Sequence, residues 1–340
     1  MDKLKVGVIG CGYWGPKLVR NFNALPDVEM AWVSDFRLDR LAHIQQLYPK
    51  VQTTQNYREI LASDVDAVAI ATPVYTHHPL ALEALQSGKH VLVEKPLAAT
   101  VAQATEIAET ADKLGLVVVV GHTFQYNPAV NAVRDLIACG ELGQVYYIST
   151  TRVNLGLFQP DINVVWDLAP HDVSILLHVL GVDPCEVSAQ GRSYVQKNRG
   201  IHEVVYLTLY FPNDVLANLH VSWLDPVKIR RVTVVGSKKM LVYDDIADAK
   251  VILYDKGVEV PPYSDTMEEF HVSYRHGNET VMPINWQEPL QLECKAFMDS
   301  IRTGQPACSS AWMGVKVVTV LEAAQKSLLN GGGRERVVLC

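Results

Sequence analysis

Short apolar runs alternate with longer amphipathic stretches over the first third of the chain. The runs are rich in valine and almost entirely apolar; they are Leu4–Ile9, Val28–Ser34, Ala67–Ala71, His90–Val93 and Val117–Val120. Runs of this kind are typical of strands buried on both faces of a parallel sheet, with helices as crossovers. One intervening stretch, Ala98–Leu114, carries an apolar stripe and is followed by Gly115, which predicts a helix. The pattern predicts an α/β domain with a Rossmann-type, doubly wound parallel sheet.

The pattern changes after a helix predicted over Pro128–Cys139. From Gln144 to about Val272, strand-like runs follow one another with short turns, which predicts a large, mostly antiparallel open sheet. The runs are Val145–Thr151, Val204–Phe211, Val215–Trp223, Arg230–Val235, Met240–Tyr243 and Lys250–Tyr254.

Three helices are predicted in this second part. The stretch Pro170–Leu180 has one apolar stripe and should pack on one face of the sheet, and the tail is helical over Leu290–Arg302 and Trp312–Leu329. We therefore predict two domains, the α/β domain over residues 1–123 and an α+β domain over residues 124–340.

Composition narrows the class of protein. The 340 residues are 49% apolar, which suits two domains with separate cores. An excess of 37 acidic over 30 basic residues gives a net charge of -7, which argues against nucleic acid or an anionic membrane as partner. The six cysteines form no C-x-x-C pair, and no apolar run of about 18 residues occurs. We expect a cytoplasmic protein without a metal site.

A glycine-rich loop follows the first predicted strand. Its sequence, from Gly10 through Gly12, Tyr13 and Trp14 to Gly15, is followed by a proline and an amphipathic helix. In this context G-x-G-x-x-G is the dinucleotide-binding fingerprint. The first glycine permits the turn, the second lets the backbone approach a pyrophosphate, and the third allows close packing, while the helix N-terminus attracts the phosphates.

Asp35 and Arg37 bear on the choice of cofactor. Asp35 closes the second predicted strand, where a carboxylate can accept hydrogen bonds from the adenosine ribose and would repel a 2′-phosphate. This favours NAD. Arg37 could neutralise such a phosphate, so NADP stays possible.

Lys95 follows the run His90–Val93 within Glu94-Lys95-Pro96. Ligands of doubly wound sheets bind outside the carboxyl ends of the strands, so Lys95 is well placed for chemistry. The alternative is an ordinary surface lysine.

Together these motifs resemble the Gfo/Idh/MocA oxidoreductase family. The matching segments cover nearly the whole chain; they are Val6–Gly15, Ala71–Pro73 with His77, Glu94–Pro96, Gly121–Pro128, Asp167–Asp172 and Phe297–Ser327. The chain departs from the family pattern at Ile162, Asn163 and Ala169, where relatives often have glycine. The resemblance implies a nicotinamide-binding Rossmann domain and a second domain whose open sheet forms the floor of the active site.

Residue roles follow from the resemblance. It implies that Lys95 and the pair Asp167 and His171 are catalytic. It also implies that Thr72, Pro73, His77, Glu94 and Lys95 contact the cofactor, and that His122, Tyr126 and Asn127 join the catalytic residues in binding substrate.

The chemistry of these side chains supports the catalytic roles. Lys95 or His171 could take the proton of a secondary alcohol while hydride leaves its carbon. With Pro170 as first helical residue, His171 would lie in the first turn, where the helix dipole disfavours the charged ring. A nearby Asp167 acts oppositely, so the net shift in the pKa of His171 is left open.

We expect an NAD(P)-dependent enzyme that acts on a sugar linked to a nucleotide. The second domain is expected to bind this substrate and, through its sheet, to form a homodimer or homotetramer. The alternatives are a free-sugar or inositol dehydrogenase and a regulator that binds dinucleotide without turnover. Lys228 and Arg230 are predicted to share one face of a strand, where they could hold a diphosphate. A solvated, positively charged sheet edge is the alternative.

Overall fold

The computed structural model describes residues 3–259 and 272–338. The chain forms two compact units: Met1–Tyr126 with Gln287–Thr319, and Asn127–Trp286 with Val320–Cys340. Each unit is described by itself below.

Strands and helices alternate in the first part of the chain. Their order is β1 (Leu4–Ile9), α1 (Gly15–Asn23), β2 (Val28–Ser34), α2 (Leu38–Leu47), β3 (Gln52–Thr54), α3 (Tyr57–Ala62), β4 (Ala67–Ile70), α4 (His77–Gln86), β5 (His90–Val93), α5 (Val101–Leu114) and β6 (Val118–Val120). The described strands pair in parallel in the order β3-β2-β1-β4-β5-β6. This confirms the predicted doubly wound sheet.

Burial explains why these runs form central strands. All four residues of β4 are buried, and Val6 and Val8 of β1 have no exposed surface. Strand order reverses between β1 and β4, and ligands of such sheets bind at this switch point. Helix α5 begins where the Thr100 side chain caps it and ends at Gly115, whose φ of 66° is readily adopted by glycine.

The remaining elements begin with a helix. They are α6 (Pro128–Ala138), β7 (Val145–Val153), α7 (Val164–Leu180), β8 (Glu186–Arg192), β9 (Val204–Tyr210), β10 (Leu216–Ser222), β11 (Ile229–Gly236), β12 (Met240–Asp244), β13 (Val251–Glu259), β14 (Ser273–Val281), α8 (Pro289–Thr303), α9 (Ala311–Leu329) and β15 (Glu335–Arg336). Within the described ranges, nine of the strands form one sheet in the order β14-β13-β12-β11-β7-β10-β9-β8-β15. Its pairings are antiparallel except that of β7 with β10, which confirms a mostly antiparallel sheet.

The two faces of this sheet differ. One face is mostly apolar and is covered by two helices: α7 packs on β7, β9 and β10, and α6 packs on β12 and β13. The other face presents half-exposed side chains at Tyr147, Tyr206 and Leu216, and the Tyr206 ring stacks on His220. Alternate residues of each strand point to opposite faces, so one strand serves both.

Helix α8 belongs to the first unit, although the predicted division at residues 123 and 124 keeps the whole tail in the second domain. Its Phe297 has no exposed surface and packs edge-on against Phe22 of α1, with ring centroids 6.4 Å apart. A main-chain bridge also joins Val119 of β6 to Ser310. The first unit is therefore defined by which residues pack together, not by their order in the chain.

Helix α7 begins earlier than predicted. Asn163 is its N-cap, with the side-chain oxygen accepting hydrogen bonds from Val165 N–H and Trp166 N–H. Pro170 therefore lies inside the helix, and the prediction that His171 occupies the first turn is wrong. The helix dipole acts mainly within the first turn, so it does not account for the state of the His171 ring.

Candidate active site

The glycine loop after β1 has the geometry of a phosphate cradle. Gly10 has a φ of 97°, and a Cβ there would lie 2.6 Å from the Ala71 carbonyl oxygen, so only glycine fits. A Cβ on Gly12 would meet nothing within 4 Å, which leaves its side of the loop open to a ligand. Gly15 opens α1 in close contact with Gly10, and Pro16 is in the first turn. These residues fit a dinucleotide.

Asp35 is held against this loop. Its Oδ2 accepts a hydrogen bond from Cys11 N–H at 2.6 Å, and its Oδ1 accepts one from Arg37 N–H at 2.8 Å. The Arg37 side chain is engaged by Asp39 through two hydrogen bonds of 2.6 and 3.1 Å. The carboxylate is thus placed beside the loop as a ribose acceptor requires.

Two aromatic side chains of the loop hold a cation that the sequence did not single out. Lys17 Nζ lies 3.6 Å from the ring centroid of Tyr13 and 4.2 Å from that of Trp14. The two rings meet edge-on. A cation over two aromatic faces is favourable and adds positive charge at the N-terminus of α1.

His77 joins the loops that follow β4 and β5. Its Nδ1 and Nε2 each lie 2.9 Å from a carbonyl oxygen, those of Pro96 and Thr72 respectively. The ring is 1% exposed, and burial lowers its pKa. Both nitrogens face the main chain, so His77 ties Pro73 and its neighbours to the Lys95 loop. A cofactor contact by His77, Thr72 or Pro73 stays a prediction.

Lys95 lies just past the end of β5, as predicted, and Glu94, which separates it from the strand, is buried. Burial raises the pKa of Glu94 to about 7, against the charges of Lys95 and Lys17. His122 has no exposed surface; burial and then the Lys95 charge lower its pKa to about 3. Tyr126 is 7% exposed, and its hydroxyl lies 2.8 Å from Ser309 Oγ. Substrate contact by His122 and Tyr126 stays a prediction.

In the second unit, Asp167 and His171 lie one turn apart on α7, so they share a helix face. Asp167 Oδ2 accepts a hydrogen bond from Trp223 Nε1 at 2.9 Å, and Trp223 is 1% exposed. The buried indole therefore orients the carboxylate. The sequence did not indicate this contact, because Trp223 lies far from Asp167 in the chain and belongs to no motif.

A buried ion pair lies beside His171. Arg152 of β7 donates two hydrogen bonds to Asp172, of 2.7 and 3.2 Å, and both side chains are at most 5% exposed. Bidentate pairing of this kind links the sheet to α7. The sequence offered no signal for it, since the two residues lie on different elements.

Asn127 and Arg230 belong to a second polar chain. Asn127 caps α6 and donates from Nδ2 to the Tyr243 hydroxyl at 3.1 Å. That hydroxyl donates to Asp245, which also pairs with Arg230 at 3.2 Å. Lys228 is exposed and precedes β11, so it does not share a strand face with Arg230 as predicted. Diphosphate binding by the two cations stays a prediction.

Comparison with known proteins decides the family. Residues 4–122 match the GFO_IDH_MocA oxidoreductase family, with its NAD-binding Rossmann fold, and residues 130–242 match the GFO/IDH/MocA C-terminal domain. The chain belongs to the Gfo/Idh/MocA family. It is therefore an oxidoreductase, and its first unit is an NAD-binding domain.

Individual relatives of the family extend over the same length. The UDP-N-acetylglucosamine 3-dehydrogenase of Acidithiobacillus ferrooxidans is 26% identical over 94% of this chain and 95% of that protein. The myo-inositol 2-dehydrogenase of Thermotoga maritima is 23% identical over 96% of both. The structure of GenD2 from gentamicin A biosynthesis, in complex with NAD, aligns with a TM-score of 0.83 at 24% identity, covering 99% of this chain and 97% of that one. This last likeness supports the fold.

Two further findings concern residues 3–259 and 272–338. No group of three or more His, Cys, Asp or Glu side chains is arranged to hold a metal ion. No helix in these ranges is both long enough and apolar enough to cross a membrane.

Proposed function

We propose that this protein transfers a hydride between NAD and a secondary hydroxyl or ketone of a nucleotide-linked sugar, as a 3-dehydrogenase or 3-ketoreductase. The observation that carries the proposal is that Lys95 lies just past the carboxyl end of β5 in the NAD-binding sheet, while Asp167 and His171 share one face of α7. The substrate class rests on the UDP-N-acetylglucosamine 3-dehydrogenase, which is related over nearly its full length.

The chain's own side chains handle the proton. The glycine loop and Asp35 would hold NAD, which would serve as acceptor or donor of the hydride. Lys95 or His171 takes the proton of the substrate hydroxyl in oxidation and returns it in reduction. Asp167, held by Trp223, stabilises the charged ring of His171 one turn along the helix. The Arg152–Asp172 pair anchors the helix that carries both residues.

Recognition of a nucleotide would require positive charge for its diphosphate. Lys228 is exposed, and the Arg230 side chain keeps 37% of its surface exposed although one nitrogen pairs with Asp245. In this proposal the two cations hold the diphosphate.

A free cyclitol or sugar is the second candidate substrate. The partial neutralisation of Arg230 by Asp245 favours it, because a polyol brings no charge that needs a cation. The family relative named as a myo-inositol 2-dehydrogenase supports the same alternative.

Absorbance of reduced nicotinamide distinguishes the candidates. Nucleotide sugars, the matching free sugars and free polyols are each offered with NAD, and the corresponding keto compounds with NADH. We expect turnover with a nucleotide sugar and competitive inhibition by nucleoside diphosphates. Good turnover of a free polyol without such inhibition would favour the second candidate, and no turnover in either direction would contradict both.

The open face of the second unit's sheet is the proposed homo-oligomer interface. Tyr147, Tyr206 and Leu216 expose 47%, 51% and 43% of their surface on that face. Exposed aromatic and aliphatic side chains on an open sheet face are typical of protein–protein contacts. Sedimentation of the wild type should give a dimer or tetramer, and Tyr206→Glu should dissociate it; a monomeric wild type would contradict the assignment.

A further inference from the structure

Two carboxylic acids are buried in the same region of the first unit. Glu94 follows β5 and is 7% exposed, and Glu293 lies in α8 with no exposed surface. Transfer of an ionised carboxyl from water to a protein interior costs several kcal/mol unless charge or hydrogen bonds compensate. Two such groups side by side disfavour a second negative charge still more.

One short segment after β6 contacts both acids. A Cβ on Gly121 would lie 3.0 Å from Glu94 Oε2 and 3.1 Å from Glu94 Cα, so the glycine leaves room for the carboxyl group. Two residues on, Thr123 Oγ1 donates a hydrogen bond of 2.9 Å to Glu293 Oε2. The segment thereby brings the end of β5 and helix α8 together around the two side chains.

The two acids differ in their hydrogen bonds. Glu94 Oε2 faces the Lys95 N–H at 3.3 Å. Glu293 Oε1, in contrast, has no hydrogen-bond partner among the described residues. A bare oxygen of this kind suits a neutral acid far better than a carboxylate, whose charge would be spread over it.

The charges around the two acids also differ. Burial raises the pKa of both, but the charges of Lys95 and Lys17 hold the pKa of Glu94 at about 7. Burial, and then the Glu94 charge, raise the pKa of Glu293 well above its usual value of 4.5, with the hydrogen bond from Thr123 opposing and no cation among the causes. The other titratable or charged groups in the surroundings are His122, Tyr126, Glu288, Cys294 and Cys308.

We propose that Glu94 and Glu293 are a carboxylate–carboxylic acid pair that carries one negative charge behind Lys95 at neutral pH, with the proton on Glu293. Glu94 is the counter-charge to the Lys95 ammonium. Glu293 is a positioning residue, because it acts on Lys95 only through Glu94. Its neutral form supports the Glu94 side chain without a second charge. The effect on catalysis rests on the proposed function, whereas the state of the two acids does not.

Infrared difference spectroscopy of the whole protein reads the two protons directly. The wild type is titrated in the carbonyl-stretch region of protonated carboxyl groups, beside Glu293→Gln, Glu94→Gln and the control Glu288→Gln on the same helix. We expect one protonated band that disappears with a midpoint near pH 7 and is absent in Glu94→Gln. A second band should persist above that pH and be absent in Glu293→Gln. Glu288→Gln should retain both.

The wild-type titration alone can overturn the proposal, even if a variant fails to fold. Absence of a persistent protonated band in the wild type above neutral pH would show that Glu293 is ionised. In Glu293→Gln the midpoint of the Glu94 band should stay within about half a unit of the wild type, because a neutral acid is replaced by a neutral amide. A downward shift of about one unit, tenfold in the acid constant, would also contradict the proposal.

Kinetics then test the link to Lys95. The turnover number of Glu293→Gln should stay within about threefold of the wild type, and its pH–rate profile should keep the inflection near pH 7. The pH–rate profile of Glu94→Gln should lose that inflection. Loss of the inflection in Glu293→Gln with unchanged bands would overturn the positioning role. If no sugar is turned over by the wild type while both bands behave as expected, the proposed function fails and the proton assignment stands.

Discussion

The two units bury charged groups in opposite ways. In the second unit, Arg152 and Asp172 form two hydrogen bonds, so each buried charge faces its opposite. In the first unit, Glu94 and Glu293 are buried as two acids, and burial raises the pKa of both. The first arrangement is closed and holds α7 to the sheet. In the second, Glu94 can gain or lose a proton near neutral pH, and perturbed pKa values of this kind cluster at functional sites.

The first prediction tests whether the closed pair is structural. Arg152→Met or Asp172→Asn leaves one buried partner without its opposite and should lower the free energy of unfolding by about 3–5 kcal/mol. Urea unfolding of each variant measures the loss. The double variant Arg152→Met with Asp172→Leu should lose less than either single one. Arg231→Met, which breaks the exposed pair with Asp244, should cost about 1 kcal/mol or less. Single variants as stable as this control would refute a structural role.

The buried acid Glu94 should make the stability of the protein fall as pH rises. Because folding raises the pKa of Glu94 from 4.5 to about 7, the folded chain holds its proton more tightly. Its contribution to stability is complete below about pH 4.5 and is lost as pH rises through 7. Urea unfolding gives the free energy of unfolding of the wild type and of Glu94→Gln at each pH. The wild-type value minus the variant value should fall by up to about 3 kcal/mol across this pH range. A flat or rising difference would contradict the shift.

Catalytic substitutions should separate turnover from cofactor binding. Lys95→Met and His171→Ala should each slow turnover at least about a hundredfold, or about 2.7 kcal/mol, with NADH affinity largely unchanged. Asp167→Asn should do less harm. Fluorescence titration and steady-state rates measure both quantities. The controls are Lys113→Met on α5 and His178→Ala, whose ring bonds to Asn131 on α6. Wild-type turnover in both Lys95→Met and His171→Ala would end the proposed mechanism.

Loss of the Asp35 carboxylate should weaken the preference for NAD. Hydrogen bonds from the Cys11 and Arg37 N–H groups fix the position of the Asp35 carboxylate. Asp35→Ala removes this carboxylate and with it the hydrogen bonds that it is predicted to accept from the ribose. We expect NAD to bind about 1–3 kcal/mol more weakly, with NADP affected less. Asp64→Ala, near the amino end of β4, should change neither affinity. Tight NADP binding by the wild type that is unaltered in Asp35→Ala would remove Asp35 from the site.

The smallest effect concerns the nucleotide part of the substrate. Lys228→Ala with Arg230→Ala should raise the KM for a nucleotide sugar several-fold while kcat changes little, as for a contact made equally in the ground and transition states. Lys238→Ala, in the turn between β11 and β12, serves as the cationic control. An unchanged KM would leave the two residues as a solvated sheet edge.

Local sequence signals predicted the fold of the NAD-binding domain well. The spacing of Gly10, Gly12 and Gly15 after an apolar run, and Asp35 at the end of the next run, are short-range patterns, although the contact that requires glycine at position 10 comes from the distant Ala71. The parallel strands were equally accessible, because burial on both faces leaves an almost unbroken apolar run.

Features that depend on distant parts of the chain were missed. Nothing near Arg152 indicates Asp172, and nothing near Glu94 indicates Glu293 on α8. The start of α7 was placed too late because Pro170 resembles a first helical residue, while the Asn163 cap comes shortly after Pro160 and Asp161, which are typical of a loop. Long-range packing therefore decides the support of the site, whereas the motifs themselves are local.

Transfer of a labelled hydride tests the central claim most directly. A nucleotide sugar deuterated at carbon 3 is incubated with NAD and the wild type, and the reduced cofactor is examined by mass spectrometry. The account predicts reduced cofactor that carries the deuterium, and none above background in Lys95→Met or His171→Ala over the same time. Reduced cofactor without deuterium would contradict attack at carbon 3. No reduction with labelled or unlabelled nucleotide sugars, by a protein that binds NAD, would contradict the assigned activity itself.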